Sequence, residues 1–221
     1  MKRMTLGLAA LLASVSAYSA DIPLYPTGPE QDAAFLRFAN GTGSELKLVA
    51  AGSKASLVLN GDKLVSSFLP VVGGDKPIKG VLSRGGKDAD LSVTVAPGEF
   101  ATVVALVDAK GATRQLVVRE QPDDFNALKA SLAFINADAT CVDASLEAVA
   151  QKAELFKQVA EGSLQRRMIN PVELSVQLKC AGAPVGQPLS FTLKAGERYS
   201  VLAVPSAAGS KLLFASDALA N

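Results

Sequence analysis

The hydrophobic pattern of the chain repeats mainly every second residue. In the run 172–180, Val, Leu and Cys alternate with Glu, Ser, Gln and Lys, and the runs 91–95 and 189–193 alternate in the same way. Successive side chains of a β-strand point to opposite faces of the sheet. Each run therefore predicts a strand with one buried face and one solvated face.

Further strands are expected where short apolar runs lie between turn-forming residues. Dipeptides typical of turns, such as Asn60-Gly61 and Pro97-Gly98, separate these runs. The expected strands are 34–39, 46–50, 55–59, 99–107, 114–118, 131–136 and 199–204. Many short strands at this spacing are typical of antiparallel sheets. We therefore predict an all-β protein of β-sandwich type, immunoglobulin-like or jelly-roll-like.

The segment 144–161 fits two different patterns. It is rich in Ala, Glu, Gln and Lys, and its apolar residues fall at helical spacing, with Gly162 placed to end a helix. Leu146, Ala148 and Ala150 also alternate at the period of a strand. The pattern alone leaves helix and strand open.

Two pairs of segments resemble each other at almost the same offset. Residues 96–105 resemble 194–203 at an offset of 98, and Phe38-Ala39-Asn40 resembles Phe134-Ile135-Asn136 at an offset of 96. Such a repeat indicates two copies of one sandwich. We expect tandem domains at 21–120 and 127–221, joined by a polar linker at 121–126 that contains Pro122.

The N-terminus has the three parts of a secretory signal peptide. Lys2 and Arg3 precede an apolar run at 6–15, and small residues follow before Asp21. We predict a signal peptide over residues 1–20, with cleavage within 17–20. Removing it leaves 20 Lys and Arg against 21 Asp and Glu. The exported chain would thus be nearly neutral, which argues against a nucleic-acid-binding protein.

Export gives the two cysteines a simple interpretation. Cys141 and Cys180 lie 39 positions apart, and an oxidising compartment favours one disulfide between them. A redox-active pair is the weaker alternative, because no C-x-x-C spacing is present.

Composition excludes several kinds of chemistry. The chain has no His, so neither Ser-His-Asp nor Cys-His catalysis nor a His metal site can form. The phosphate-binding loops G-x-x-x-x-G-K-[ST] and G-x-G-x-x-G are absent. The run 83–90, with basic residues, glycines and a D-x-D, could hold phosphate or Ca²⁺, but a solvated hairpin loop is the favoured interpretation. We expect no catalytic residue, no cofactor and no metal.

Several segments resemble a known family. The segments D-I-P-L-Y-P at 21–26, A-A-F-L-R-F-A-N at 33–40, I-N-P-V at 169–172 and L-K-A-G-E at 193–197 resemble the alginate biosynthesis protein AlgF family. The resemblance implies a noncatalytic periplasmic adaptor, predominantly of β-structure, for alginate O-acetylation in exopolysaccharide and biofilm formation. Its implied partners are periplasmic O-acetyltransferases and the membrane O-acyltransferase complex. The same resemblance favours strands at 144–161.

Four residues are candidates for a partner or polysaccharide surface. They are Tyr25, Arg166, Arg167 and Asn170. Adjacent arginines could also hold an anionic polysaccharide such as alginate through paired hydrogen bonds, and this is the alternative function. A sandwich that accepts a partner strand at a sheet edge is a third hypothesis. An ordinary solvated surface is favoured over a carbohydrate site as the interpretation of these arginines.

Overall fold

The computed structural model describes residues 33–121 and 126–220, which contain sixteen strands and no helix. The expected signal peptide 1–20, the candidate Tyr25 and positions 122–125 of the expected linker lie outside the described residues. Across the two described stretches, no helix has the length and apolarity needed to cross a membrane.

The first eight strands form two four-stranded sheets. The strands are β1 (Ala33–Asn40), β2 (Leu46–Ala50), β3 (Ser56–Leu59), β4 (Leu69–Val72), β5 (Gly74–Arg84), β6 (Lys87–Val95), β7 (Phe100–Val107) and β8 (Thr113–Glu120). One sheet, the first inner sheet, has the order β4-β1-β7-β8. The other, the first outer sheet, has the order β3-β2-β5-β6.

The last eight strands repeat this arrangement. They are β9 (Ala130–Asn136), β10 (Ala144–Ala148), β11 (Ala153–Val159), β12 (Leu164–Ile169), β13 (Val172–Cys180), β14 (Ala183–Leu193), β15 (Arg198–Ser206) and β16 (Gly209–Ser216). The second inner sheet has the order β12-β9-β15-β16, and the second outer sheet has the order β11-β10-β13-β14. Every strand neighbour thus recurs eight strands later.

The predicted pair of β-sandwiches is therefore confirmed, with one difference in strand direction. Strand β1 runs parallel to β7, and β9 runs parallel to β15, while the other pairs are antiparallel. Strands β7 and β15 each follow a strand of an outer sheet, β6 and β14. They are therefore not joined to β1 and β9 by a hairpin and can run parallel to them.

Residues 144–161 form strands rather than a helix. Leu146 of β10 pairs with Phe156 of β11, and both side chains are buried in the second sandwich. A register shift interrupts this pair of strands, and Gln158 has a positive φ of 51°. This bulge explains why the apolar residues of the segment do not keep a strict period of two.

The central strands of the two inner sheets are buried on both faces. In β7, Ala101, Val103 and Ala105 face the core of the first sandwich. The alternate residues Val104 and Leu106 belong to an apolar cluster shared with the second sandwich. The four sheets therefore stack as outer, inner, inner and outer layers, and the two inner sheets form the interface between the domains.

One buried asparagine ends the first strand of each domain. The Nδ2 group of Asn40 donates to the carbonyl oxygens of Ser44 at 2.8 Å and Leu59 at 2.7 Å. The Nδ2 group of Asn136 donates to those of Cys141 at 3.2 Å and Val159 at 2.9 Å. The two asparagines thus hold equivalent loops, as the offset of 96 in the sequence implies.

Alanine at position 40 removes the side-chain donor to the buried Leu59 carbonyl. Alanine at position 136 removes the side-chain donor to the buried Cys141 and Val159 carbonyls. We expect Asn40→Ala and Asn136→Ala each to lower the free energy of unfolding by about 1–3 kcal/mol in urea titrations. Asn60→Ala is the control, because the exposed Asn60 side chain donates to the exposed Glu45 side chain, and it should cost no more than about 0.5 kcal/mol. Equal effects at Asn60 and at the buried positions would contradict this role.

Candidate functional site

A buried arginine from the first domain lies at the centre of the domain interface. In β1, Leu36 and Phe38 face the core of the first sandwich, so Arg37 between them points to the other face of the sheet. It is 1% exposed. Its Nε donates to Thr102 Oγ1 at 2.8 Å, and its Nη2 donates to Ser200 Oγ at 2.7 Å.

The charged partner of Arg37 comes from the end of the second domain. Arg37 Nη1 donates to Asp217 Oδ1 at 2.5 Å, and this carboxylate also accepts from Ser200 Oγ at 2.7 Å. Because Asp217 follows β16 directly, the ion pair joins the first strand of one domain to the last strand of the other. The side chain of Asp217 is 2% exposed.

A second arginine binds the same carboxylate from the edge of the second inner sheet. Arg166 of β12 donates from Nη2 to Asp217 Oδ2 at 2.8 Å, and it forms a further ion pair with Glu120 at the end of β8. Its Nη1 donates to Ser131 Oγ at 3.2 Å. We call Arg37, Glu120, Arg166 and Asp217 the interdomain charge cluster. Every buried side-chain nitrogen and oxygen in the described stretches has a hydrogen-bond partner.

The cluster shifts the ionisation of its own members. Burial alone would raise the pKa of the Asp217 carboxyl, but the charges of Arg37 and Arg166 and the Ser200 hydrogen bond outweigh burial and lower the pKa. Burial would likewise lower the pKa of Arg166, but its bonds to Glu120 and Asp217 raise the pKa instead. Both shifts favour the charged forms of Asp217 and Arg166 at neutral pH.

The lowered pKa of Asp217 makes the stability of the protein depend on pH. Its contribution is fully present above the pKa of an unfolded aspartate, about 3.9, and is lost as the pH falls through the lower pKa of the folded state. We expect the difference in unfolding free energy between wild type and Asp217→Asn to be constant above about pH 5 and to shrink below pH 4. Urea titrations across pH measure it, and parallel curves down to pH 2 would contradict the assignment.

The C-terminal residues extend this contact across the first domain. The Phe68 amide donates to the Ala218 carbonyl at 2.9 Å, and the Ala220 amide donates to the Phe68 carbonyl at 2.7 Å. The Arg37 guanidinium carbon lies 4.4 Å from the centre of the Phe68 ring, a cation–π contact. The segment 217–220 therefore holds Phe68 against the charge cluster.

An apolar cluster continues the domain interface beyond the charged residues, on the same faces of the two inner sheets. Its buried members are Ala39, Val104, Leu106, Val118, Ile135, Ala137, Leu202, Val204 and Leu213. These side chains come from both domains, and their packing against each other excludes water from the domain interface. An exposed ion pair between Arg114 and Glu161, at 2.7 Å, also connects the two domains.

The structure separates the residues that the sequence suggested for a partner surface. The side chain of Arg166 is 6% exposed and lies in the interdomain charge cluster, so its guanidinium is not on an open surface. The next residue on the strand, Arg167, is exposed, and its Nη1 donates to the Leu155 carbonyl at 2.6 Å. Asn170 is also exposed and accepts from Lys129 Nζ at 2.5 Å. Adjacent residues of a strand face opposite sides, which explains why Arg166 and Arg167 differ.

The predicted disulfide is confirmed. Cys141 and Cys180 are bonded, with Cα atoms 4.8 Å apart. The bond ties the loop after β9 to the end of β13, so it connects the inner and outer sheets of the second sandwich.

The run 83–90 forms the hairpin between β5 and β6. Ser83 Oγ donates to Asp88 Oδ1 at 2.6 Å across it, and Arg84 Nη2 donates to the Gly111 carbonyl at 2.5 Å. Within residues 33–121 and 126–220, no group of three or more Cys, Asp or Glu side chains could hold a metal ion.

The sequence pointed to neither Arg37 nor Asp217 as a site residue. A signal for Arg37 is present, because it is the one charge in the apolar run 33–39. A charge that interrupts a strand buried on both faces needs a buried partner. Nothing in the local pattern around Asp217 distinguishes it from other acids near chain ends.

Comparisons with known proteins find likeness only at the level of structure. No protein-family model and no curated protein sequence matches the chain. A proposed cell adhesion protein from Bacteroides uniformis ATCC 8492 is similar at 11% identity over 86% of this chain and 98% of that chain, with a TM-score of 0.28. The TIE protein of Bacillus anthracis is similar at 10% identity over 77% of this chain and 33% of that chain, with a TM-score of 0.26. The C-terminal domain of AlgF from P. aeruginosa is similar at 22% identity over 40% of this chain and 98% of that chain, with a TM-score of 0.36, which is a distant likeness at most.

Proposed function

We propose that the protein is a noncatalytic accessory component of alginate O-acetylation that acts in the periplasm as an adaptor between acetyl-transfer components. The residues that resemble the AlgF family support this proposal. Those among residues 33–121 and 126–220 lie on β1, at the turn between β12 and β13, and at the turn before β15. These positions belong to the fold of both domains, so their resemblance supports an architecture shared with the AlgF family as well as a shared function.

The observation that carries the adaptor role is the interdomain charge cluster. Buried ion pairs require defined geometry, because each misplaced charge would lose its partner in a medium without water. Arg37 and Asp217 therefore hold the two sandwiches in one relative orientation. A protein that brings two partners together needs its binding faces at a fixed separation, and two locked domains provide it.

The chemistry of the chain supports a binding role rather than a catalytic one. The sequence contains no His, which removes the most common general base. The strongly buried Arg37 and Arg166 both bind Asp217, and Arg37 does so across the interface, so these charges serve the packing of the domains.

For the contact surface, we propose the exposed side of β12. Arg167 and Asn170 are exposed there, and Lys129 binds Asn170. Arginine and hydrogen-bonding amides are frequent at protein interfaces. Proposed partners are the periplasmic O-acetyltransferases and the membrane O-acyltransferase complex.

An anionic polysaccharide is the second candidate ligand. Arg167 and Lys129 could contact its carboxylates from the same exposed side, whereas Arg166 is committed to the charge cluster. Binding carried by these charges should weaken as the salt concentration rises. Binding of alginate by the purified protein, measured at 50 and 500 mM NaCl, tests this candidate separately.

Recovery of partners from the producing host tests the adaptor proposal. We expect the tagged protein to co-purify with the acetyltransferases and the acyltransferase from periplasm and detergent-solubilised membranes. Arg167→Glu should reduce recovery at least tenfold. Lys110→Glu, on an exposed turn of the first domain, is the matched control and should not. Recovery of neither enzyme after mild crosslinking, with the protein folded, would contradict the adaptor role.

A further inference from the structure

The first sandwich has an apolar groove between its two sheets. The groove has a volume of about 320 Å³ and lies beside the edge strands β3 and β4. Its lining includes buried leucines and Phe38 from both sheets. Four further apolar side chains of the lining are half-buried, namely Leu57, Leu69, Val71 and Ile78. A concave apolar space of this kind is a binding site for apolar groups.

In the second sandwich, an aromatic ring occupies the equivalent position of the outer sheet. Leu57 of β3 and Phe156 of β11 each pair with a leucine of the neighbouring strand, at equivalent points of the repeat. Phe156 is 3% exposed, and its ring centre lies 5.8 Å from that of Phe134. The counterpart of Phe134 is Phe38, which lines the groove. The first domain therefore has a smaller side chain where the second has a ring.

Two polar side chains of β12 also connect the edge strands of the second sandwich. Arg167 Nη1 donates to the Leu155 carbonyl at 2.6 Å, and Gln165 Nε2 donates to the Lys157 carbonyl at 3.0 Å, both on β11. Leu69 of β4 stands at the position of Arg167, since each pairs with an equivalent residue of the central strand. A leucine side chain has no hydrogen-bond donor, so it makes no such connection between β4 and β3.

The charges beside the groove are positive. Within residues 33–121 and 126–220, Lys79 is the one charged residue of the lining, and Lys54 lies between the lining residues Ser53 and Ala55. Both lysines are exposed, and neither forms an ion pair with the residues that the structure describes. A ligand with an apolar body and a negative end would match this groove in both hydrophobicity and charge.

The volume of the groove limits the size of such a ligand. A group the size of a water molecule takes up about 30 Å³, so the groove holds about ten groups of methylene size. A space of about 300 Å³ is at the lower end of the range for small-molecule pockets. The groove therefore fits one unbranched alkyl chain of medium length rather than the two long chains of a phospholipid.

We propose that the groove binds a medium-chain carboxylic acid of about eight to ten carbons and that Lys54 and Lys79 face its carboxylate. The bound alkyl chain covers the half-buried Leu57, Val71 and Ile78, which removes apolar surface from water. The carboxylate stays beside the two exposed ammonium groups, which attract it while water still solvates it. This site is independent of the partners proposed above.

Methyl NMR of the purified protein, titrated with sodium decanoate below its micellar concentration, tests the proposal. We expect saturable shifts of the methyl signals of Leu57, Val71 and Ile78. Decyltrimethylammonium has the same alkyl chain with a positive end and should bind at least fivefold more weakly. The absence of saturable shifts at these methyls, or equal affinity for the two ligands, would overturn the proposal. Binding of phosphatidylglycerol vesicles without binding of decanoate would overturn it as well.

Two variants at neighbouring positions of β3 test the place of the alkyl chain. Leu57→Phe puts a ring where the second sandwich has Phe156 and should lower the affinity for decanoate at least fivefold. Val58→Phe puts the same ring on the opposite, 37% exposed side of the strand and should leave the affinity unchanged. Thermal unfolding of each variant verifies that it is folded. Equal affinities in the two variants would overturn the proposal.

Two double variants test the place of the carboxylate. Lys54→Glu/Lys79→Glu should lower the affinity for decanoate at least tenfold and raise the affinity for decyltrimethylammonium. Lys87→Glu/Lys110→Glu makes the same change of charge at two exposed turns outside the groove lining and should change neither affinity appreciably. Equal effects of the two double variants would show that net charge alone acts, and this would contradict the placement of the carboxylate.

Discussion

Asp217→Asn is expected to lower the free energy of unfolding by about 3–5 kcal/mol at pH 7. The substitution removes the negative charge that faces two buried guanidinium groups. Of the charge cluster, Glu120 is then the remaining acid, and its ion pair is with Arg166 rather than Arg37. A buried charge without its partner keeps its desolvation cost and loses its compensation. Urea titration at constant pH measures the change.

Another ion pair across the same interface provides the control. Arg114 and Glu161 lie 2.7 Å apart, but their side chains are 37% and 34% exposed. Exposed pairs contribute about 0–1 kcal/mol, so Arg114→Ala should have a small effect. If Asp217→Asn costs no more than Arg114→Ala, the charge cluster does not hold the domains together.

Removing the disulfide should cost about 4 kcal/mol, because the bond closes a loop of 39 positions in the unfolded chain. We expect the double variant Cys141→Ala/Cys180→Ala to show this loss in urea titrations. Hydrogen exchange should become faster in the second sandwich first, since both cysteines belong to it.

Reduction of the wild-type protein gives the matched comparison. A reductant should lower the stability of wild type by the same amount and leave the double variant unchanged. A loss below about 1 kcal/mol in both experiments would show that the bond does not constrain the unfolded chain. Faster exchange limited to the first sandwich would contradict the placement of the bond.

The outer sheets were the easiest part of the fold to predict from the sequence. Strands such as β13 have one buried and one solvated face, so their residues alternate strictly. The inner strand β7 is apolar except for Thr102, and its residues 101–106 are all buried. A nearly continuous apolar run predicts a strand but does not say what covers each face. The packing of the two sandwiches through their inner sheets therefore could not be derived from periodicity.

The candidate site was harder to predict because it depends on contacts between distant residues. Arg37 and Asp217 lie 180 positions apart, and no local pattern pairs them. The sequence suggested Arg166 for a partner surface, but the Arg166 side chain faces the interface, while Arg167 faces solvent. Side chains alternate in direction along β12, so only one of the two arginines can face the interface. The register of β12 against β9 determines that it is Arg166.

The charge cluster also shows how the repeat diverged. Thr102 and Ser200 occupy equivalent positions 98 residues apart, and both accept hydrogen bonds from Arg37. The position in β9 that corresponds to Arg37 is Ala133, and Arg166 pairs with it from the neighbouring strand. Each domain therefore supplies one guanidinium from a different strand. If the two arginines stood at equivalent positions of the repeat, each would need its own equivalent acid. Here the single carboxylate of Asp217 binds both arginines.

The adaptor account is tested most directly by the composition of a reconstituted complex. Sedimentation velocity of the purified protein, mixed with a periplasmic acetyltransferase and the detergent-solubilised acyltransferase, measures which species form. We predict one species that contains all three proteins, and loss of that species when this protein is omitted. Binding of the two enzymes to this protein only in separate, mutually exclusive complexes would contradict the account.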